Sequence, residues 1–119
     1  MRYMSKYRNQ KCSWKGIVFD SILERDRFII LEADQREGKI SDLRRQVKYV
    51  LSPEQRIGGK LVERECSYIA DFVYKLPSGE EVVEDTKGFV TKEFIIKRKL
   101  VLSVYGIRIR MVRKGDVSG

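Results

Sequence analysis

Histidine is absent from this chain of 119 residues. Its absence excludes Ser-His-Asp hydrolases, nucleases that bind metal through histidine, and zinc sites built on imidazole. The two cysteines, Cys12 and Cys66, are far apart and have no CxxC spacing, so the sequence favours neither a zinc knuckle nor a redox pair. No long apolar run or signal-peptide pattern occurs, which predicts a cytoplasmic protein with reduced thiols and no membrane partner.

Acidic residues are the minority of the charged ones. The 25 Lys and Arg exceed the 17 Asp and Glu and give a formal net charge of +8, which suits a polyanionic partner such as DNA. Residues 1–15 hold basic and aromatic residues but no acid, and their basic residues are Arg2, Lys6, Arg8, Lys11 and Lys15. We expect a flexible basic arm that follows a phosphate backbone. A disordered, solubilising terminus is the alternative.

The length predicts one domain, at residues 16–113, between the arm at 1–15 and a frayed tail at 114–119. The loop 54–60 contains Gly58 and Gly59 and is expected to be a flexible hairpin tip. Because a strand–helix–strand crossover joins parallel strands, the last strand should lie parallel to one already in the sheet. Periodicity and turn residues predict an extended stretch at 16–19, helices at 21–37 and 91–105, and strands at 40–51, 61–76, 81–87 and 107–112.

Three charged residues of two neighbouring predicted strands form the candidate site: Asp71 on the first strand, and Asp85 and Lys87 on the second. Because side chains alternate along a strand, Asp85 and Lys87 should share a face, and Asp71 should share one with Ile69 and Val73. Carboxylates are ligands that Mg²⁺ prefers, and a nearby lysine can position an attacking water. These residue types therefore indicate metal-dependent cleavage of a phosphodiester.

Each of these charged residues also has a structural interpretation. Asp71 could be an edge aspartate that hydrogen-bonds to a turn. Asp85 and Lys87 could be an exposed ladder pair on an edge strand. The adjacent Glu84 leaves a choice between two carboxylates, and strand alternation favours Asp85 as the ligand, because Glu84 should face away from Lys87.

The order and spacing of the motifs resemble the PD-(D/E)XK nuclease superfamily, and within it the small phage-encoded Holliday junction resolvase-like endonucleases. Ala70 stands where the name of the superfamily has proline. The resemblance implies an α/β, restriction-endonuclease-like core, in which a central mixed β-sheet is flanked by helices. The matching stretches lie between residues 17 and 112 and are Phe19-Asp-Ser21-Ile-Leu-Glu24, Tyr68-Ile-Ala-Asp71-Phe, Val83-Glu-Asp85-Thr-Lys87-Gly88 and Phe94-Ile-Ile-Lys97-Arg-Lys99-Leu.

The resemblance also implies a catalytic set and a cofactor. Mg²⁺, with Mn²⁺ able to substitute, would be held by Asp71, Asp85, the backbone carbonyl of Thr86 and Glu24. The catalytic residues would be Glu24, Asp71, Asp85 and Lys87. Glu24 has a second interpretation, because Ser21-Ile-Leu-Glu24 fits a capping box at the start of a helix.

Together these features predict a Mg²⁺-dependent endodeoxyribonuclease. The resemblance points to branched DNA, such as Holliday junctions in phage recombination or replication, and to a phage or prophage protein in a bacterial host. Because both strands of a branched or duplex substrate must be cut, a homodimer with two sites is the simplest assembly. The alternatives are a nicking or flap endonuclease, a non-catalytic nucleic-acid-binding module of the same fold, and an RNA-binding protein, although the last leaves the carboxylates unexplained.

The second predicted helix adds positive charge through Lys92, Lys97, Arg98 and Lys99, and the three lysines are the candidate nucleic-acid contacts. Helical spacing puts Lys92 and Lys99 on nearly the same face, where they are expected to line a phosphate path beside the metal site. A solvated helix face is the alternative explanation of such a run.

Overall fold

A four-stranded mixed sheet lies at the centre of the chain in the computed structural model, which describes residues 10–117. The elements in chain order are β1 (Cys12–Trp14), β2 (Ile17–Phe19), α1 (Ile22–Arg36), β3 (Ser41–Ser52), β4 (Gln55–Ile57), β5 (Lys60–Glu63), β6 (Cys66–Lys75), β7 (Glu81–Thr86), α2 (Lys92–Tyr105) and β8 (Arg110–Val112). The central strands have the order β3-β6-β7-β8. β7 and β8 are parallel, and the other neighbours are antiparallel. The mixed α/β class and the parallel last strand are therefore confirmed.

Both helices begin at a hydroxyl side chain that caps the first turn. Ser21 accepts a hydrogen bond of 3.0 Å from the N–H of Glu24, and Thr91 accepts one of 3.0 Å from the N–H of Phe94. These caps satisfy amide groups that have no partner within the helix. α2 ends at Gly106, whose φ of 70° lies in the left-handed region that glycine adopts readily. The predicted helix limits are therefore correct to within one residue.

Each helix packs some of its apolar residues against its own face of the sheet. Phe28 of α1 packs on Phe72 of β6, with 6.1 Å between the ring centroids. On the opposite face, Phe94 and Val101 of α2 pack with Val83 of β7. Burying a large apolar side chain stabilises a fold by about 1.5–3 kcal/mol, so the two faces together hold β6 and β7 firmly in the centre.

The central strand β6 changes the face that its side chains occupy at Asp71. Ala70 is buried under α2, whereas Phe72, two positions further, is buried under α1, although strict alternation would put both on one face. The neighbouring strand β3 is distorted at Gln46, whose φ of 55° is rare for a residue with a side chain. Such an irregularity re-aims side chains and is common next to functional sites.

This distortion corrects one expectation about the faces of β6. Asp71 was expected to share a face with Ile69 and Val73, but Ile69 is 51% exposed and Val73 is fully buried under α2. The alternation that predicts a common face is interrupted at Asp71 itself. The prediction is therefore wrong.

The chain ends also differ from the prediction. β1 pairs with β2 in a hairpin, so the boundary of the basic arm predicted at residue 15 falls inside a folded element. Residues 1–9, with Arg2, Lys6 and Arg8, lie outside the described residues. The tail predicted to fray from residue 114 instead forms a 3-10 turn at Lys114–Asp116. The carbonyl oxygen of Val117 accepts a hydrogen bond of 2.6 Å from Arg27, which ties this segment to α1.

A second hairpin divides the long strand that was predicted at residues 61–76. β5 pairs with β4 in this hairpin, and β6 starts separately at Cys66. Gly58 and Gly59 form its turn with positive φ angles, so the predicted hairpin tip is confirmed. The last strand, expected to start at residue 107, starts at Arg110. Neither helix within residues 10–117 is long and apolar enough to cross a membrane.

Candidate active site

A polar cleft of about 860 Å³ opens where the first turn of α1 and the first turn of α2 face β6 and β7. Its lining includes the whole predicted catalytic and metal-binding set: Glu24, Asp71, Asp85, Thr86 and Lys87. These residues come from three elements and from the loop that follows β7. The fold therefore brings together side chains that are up to 63 positions apart in the sequence.

Asp71 is held in the cleft by the end of the neighbouring strand. The backbone N–H and the hydroxyl of Thr86 each donate a hydrogen bond of 2.8 Å to Asp71 Oδ2. Phe72 pairs with Glu84 in the antiparallel ladder. Asp71, one position before Phe72, therefore lies opposite Asp85, one position after Glu84. The two carboxylates predicted to share a cation are thus cross-strand neighbours.

Asp85 is 3% exposed and faces the α2 side of the sheet. Its Oδ2 accepts a hydrogen bond of 2.7 Å from the hydroxyl of Tyr68, and its Oδ1 lies 3.5 Å from Lys87 Nζ. Burial, followed by the charge of Asp71 and a hydrogen bond with it, raises the pKa of Asp85 to about 7. Burial and the nearby Asp85 charge also raise the pKa of the Tyr68 hydroxyl, which therefore stays protonated and donates.

Lys87 follows β7 directly and reaches the cleft beside Asp85. Its Nζ lies 4.6 Å from the centroid of the Phe94 ring in α2, a distance at which the ring attracts a cation. The N–H of Lys87 donates a hydrogen bond of 3.0 Å to the carbonyl of Val112, so the backbone is anchored to β8. The ammonium group is thereby fixed next to a carboxylate and open to the cleft.

Glu24 lies in the first turn of α1 and is 3% exposed. Its Oε2 accepts a hydrogen bond of 3.1 Å from the Gln46 side chain and lies 3.6 Å from Arg45 Nη2. Burial and then the charge of Asp71 raise the pKa of Glu24 to about 7, while Arg45 acts to lower it. Ser21 caps the helix through its own hydroxyl, and the Glu24 carboxylate contacts β3. A role of Glu24 in metal binding stays a prediction.

Three further residues complete the surroundings of the site and were missed by the sequence analysis as site residues. The Gln46 amide lies 3.1 Å from Glu24 and 3.5 Å from Asp71, so it bridges the two acids. The Arg45 guanidinium stacks 4.4 Å from the centroid of the Phe19 ring, and within residues 10–117 its buried Nε has no hydrogen-bond partner. Tyr68 supports Asp85. Of the three, only Arg45 could have been found from the sequence, because it is a charged residue within an alternating series of apolar residues on β3.

Glu84 is fully buried on the α1 side of the sheet and belongs to a separate network, whose member Arg110 is exposed. Arg27 donates to its two oxygens over 2.9 and 2.7 Å, Arg110 lies 3.1 Å from Oε2, and the Tyr74 hydroxyl donates to the same oxygen. Burial acts to lower the pKa of Arg27, but the hydrogen bonds and charge of Glu84 hold it above its ordinary value. The prediction that Glu84 faces away from Lys87 is confirmed, and its role is structural.

The Glu84→Gln variant is expected to lose about 3 kcal/mol of its free energy of unfolding, because it leaves the buried Arg27 guanidinium without its countercharge. Urea denaturation at pH 7 measures this loss. The exposed Glu63, for which the described part of the chain shows no ion pair, provides the matched control Glu63→Gln. Equal stability of the two variants would contradict the structural role of the network.

The predicted nucleic-acid contacts are only partly near the cleft. Lys97 lines it and pairs with Glu93 over 3.1 Å, whereas Lys92 and Lys99 lie outside its lining. Lys92 and Lys99, which were expected to line a phosphate path beside the metal site, therefore do not line this cleft, and phosphate binding by Lys97 stays a prediction. Lys11 pairs with Asp20 over 3.0 Å, and Lys15 lies 3.6 Å from Glu32. Both arm lysines are thus engaged with acids of the folded part.

The donor chemistry of the cleft fits a hard divalent cation, since carboxylates and a backbone carbonyl are ligands that Mg²⁺ accepts. In their present positions, however, no three acidic or cysteine side chains within residues 10–117 are spaced to hold an ion. Glu24 and Asp85 each have one oxygen hydrogen-bonded, to Gln46 and Tyr68, and both oxygens of Asp71 accept hydrogen bonds, from Thr86 and Gln46. The residue types therefore suit Mg²⁺, and metal binding would require the carboxylates to turn.

Comparison with known proteins assigns the chain to a family. It belongs to the family described as protein of unknown function (DUF1064), whose model matches residues 4–114. The matched range contains every residue of the cleft named above. No curated protein matches the chain.

Proposed function

We propose that this protein is a metal-dependent endonuclease of the PD-(D/E)XK superfamily, with a restriction-endonuclease-like core. The observation that carries the proposal is the convergence of Glu24, Asp71, Asp85 and Lys87 in one polar cleft. Two of these acids are buried with raised pKa values, an arrangement that works against the stability of the fold. A bound cation would compensate for that unfavourable arrangement.

The residues that would hold Mg²⁺, or Mn²⁺ in its place, are Glu24, Asp71, Asp85 and the backbone carbonyl of Thr86. When bound, the ion would supply acidification of a water molecule and neutralisation of charge on the phosphate. The hydrogen bonds from Thr86 orient the Asp71 carboxylate, and the Tyr68 hydroxyl orients that of Asp85. Gln46 and Arg45 hold Glu24 at the opposite wall of the cleft.

Lys87 is the group that we assign to the attacking water. Its ammonium lies 3.5 Å from Asp85 and opens to the same cleft, so it can donate to a nucleophile placed beside the carboxylates. The positive charge also offsets negative charge that develops on the phosphate in the transition state. Lys97, on the cleft wall, would contact an adjacent phosphate.

The net charge of +8 suits DNA as the substrate. Because the resemblance is to phage-encoded junction-resolving enzymes, we propose branched DNA, such as a Holliday junction, in phage recombination or replication. A homodimer would present two clefts to the two strands. Nicking or flap cleavage, and DNA binding without catalysis, are the other outcomes that the test distinguishes.

The test is incubation of the full chain with labelled four-way junction, flap, single-stranded and linear duplex DNA, with Mg²⁺ or with EDTA. We expect cleavage that requires Mg²⁺, is fastest on the junction, and is lost in Asp71→Asn, which keeps the shape and the Thr86 hydrogen bonds. The exposed Glu80 provides the matched control Glu80→Gln, which should cleave normally. Binding without cleavage of any substrate would identify a non-catalytic DNA-binding module. Failure to bind DNA would reject both the nuclease and the binding module.

A further inference from the structure

The positive charge of the chain is concentrated in the part that follows β7. Residues 88–119 contain eight basic and two acidic residues, whereas residues 10–87 contain 14 basic and 15 acidic ones. The central part of the chain is therefore nearly neutral. Apart from the first nine residues, the excess charge belongs to α2, β8 and the segments beside them.

Part of this charge surrounds a second cavity, of about 450 Å³, between α2 and β8. The polar residues that line it are Arg98, Lys99 and Arg108, and no acidic residue of the described chain lines it. The remaining lining is apolar and includes Ile107 and Met111. A cavity with three cations and no acid favours an anionic ligand.

These three cations also lack the countercharges that engage most others. Within residues 10–117, no ion pair joins Arg98, Lys99 or Arg108 to an acid, whereas Lys97, one position before Arg98, pairs with Glu93. The Arg98 guanidinium lies 5.7 Å from the centroid of the Phe94 ring and contacts Met111 Sδ at 3.5 Å. Its position is thus set by packing, which leaves its charge available for a ligand.

The cavity is linked to the cleft through Phe94. The Lys87 ammonium lies 4.6 Å from the centroid of this ring, and the Arg98 guanidinium lies 5.7 Å from it. Lys97 on the cleft wall and Arg98 in the cavity are consecutive residues of α2. A nucleic-acid strand carries a negative charge at every nucleotide. A nucleic acid bound in the cleft would therefore present its next phosphates to this second group of cations.

We propose that the Arg98, Lys99 and Arg108 cavity binds a phosphate group of the nucleic-acid backbone, at a position outside the cleft. This inference rests on the proposed function for the identity of the polymer. The arginines can donate in pairs to phosphate oxygens, and the lysine adds a point charge. The cavity reads no base, so it would fix the position of the DNA on the protein.

The test compares the salt dependence of DNA affinity in EDTA, measured by fluorescence anisotropy on a labelled junction. Lys99→Ala/Arg108→Ala removes two exposed cations from the cavity and leaves the packed Arg98 in place. Lys60→Ala/Arg64→Ala removes two exposed cations of the β4–β5 hairpin region, for which the described residues also show no ion pair, and is the matched control. Affinity falls as salt rises, so the slope of log affinity against log salt is negative. In the cavity variant we expect this slope to become shallower by up to about 1.8, with no change in the control.

An unchanged slope in the cavity variant, or an equal decrease in the control, would overturn the proposal. A second arm titrates the wild-type protein with orthophosphate and follows the Arg98 Nε–H and Met111 methyl resonances. If orthophosphate shifts them while the DNA slope is unchanged in the cavity variant, the cavity holds free anions, and its assignment to the nucleic-acid backbone is overturned. If the slope decreases as expected but no substrate is cleaved with Mg²⁺, the phosphate site stands and the nuclease proposal fails.

Discussion

The Asp85→Asn variant is expected to lose DNA cleavage and, at pH 8, to be more stable than the wild type. Asparagine keeps the shape and can still accept the hydrogen bond from Tyr68, but it cannot ionise beside Asp71. It thereby removes a buried charge that the fold holds at a cost and, in the proposed reaction, a ligand of Mg²⁺. Opposite effects of one substitution on activity and stability are typical of a functional acid.

The pH dependence of this stabilisation follows from the direction in which the pKa of Asp85 is shifted. The pKa of Asp85 is raised from 3.8 to about 7, so the folded state holds a proton that the unfolded chain releases. The stability contributed by that proton is present below about pH 4 and is lost as the pH rises through about 7. The free energy of unfolding of Asp85→Asn should therefore equal that of the wild type at pH 4 and exceed it by up to about 4 kcal/mol at pH 8, since one pKa unit corresponds to about 1.4 kcal/mol.

Urea denaturation at pH 4 and pH 8, in EDTA, measures both ends of this range. The exposed acid Glu80 again provides the control, and Glu80→Gln should follow the wild type at both pH values. An Asp85→Asn protein that is less stable than the wild type at pH 8 would show that the carboxylate stabilises the fold. In that case its interpretation as a site acid would be wrong.

The Lys87→Ala variant is expected to lower the single-turnover cleavage rate by about 10²–10⁴-fold, while DNA affinity changes by only a few-fold. The reason is position: the ammonium lies 3.5 Å from Asp85 and 4.6 Å from the Phe94 ring, inside the cleft rather than on the outer surface. The measurement is a time course with protein well above its dissociation constant, so that weakened binding cannot limit the rate.

Lys60→Ala is the matched control for Lys87→Ala, because it removes one exposed lysine at the distant β4–β5 hairpin. It should cleave at the wild-type rate under the same conditions. Recovery of the wild-type rate by Lys87→Ala at saturating protein would leave Lys87 as a phosphate contact. The chemical step would then need another group to position the water.

The candidate site was predictable to the extent that local rules apply. Alternation along β7 separates Asp85 from Glu84 correctly, because this strand is regular and both of its faces are covered. The same rule failed on β6, where the strand changes face at Asp71 opposite the left-handed Gln46. The residue types of β3 do not predict a left-handed conformation at Gln46, since glutamine rarely adopts it.

By itself, the sequence determined the two helix caps, the hairpin turn at Gly58 and Gly59, the order of the motifs and the excess of positive charge. These features depend on short stretches of chain, whose turn residues, hydroxyl caps and apolar spacing act locally. Only the tertiary structure decided that Glu24 meets Asp71 through Gln46, that Tyr68 supports Asp85, and that Arg27 neutralises Glu84. Those contacts join residues 17 to 57 positions apart, and they form because the two helices pack on opposite faces of one sheet.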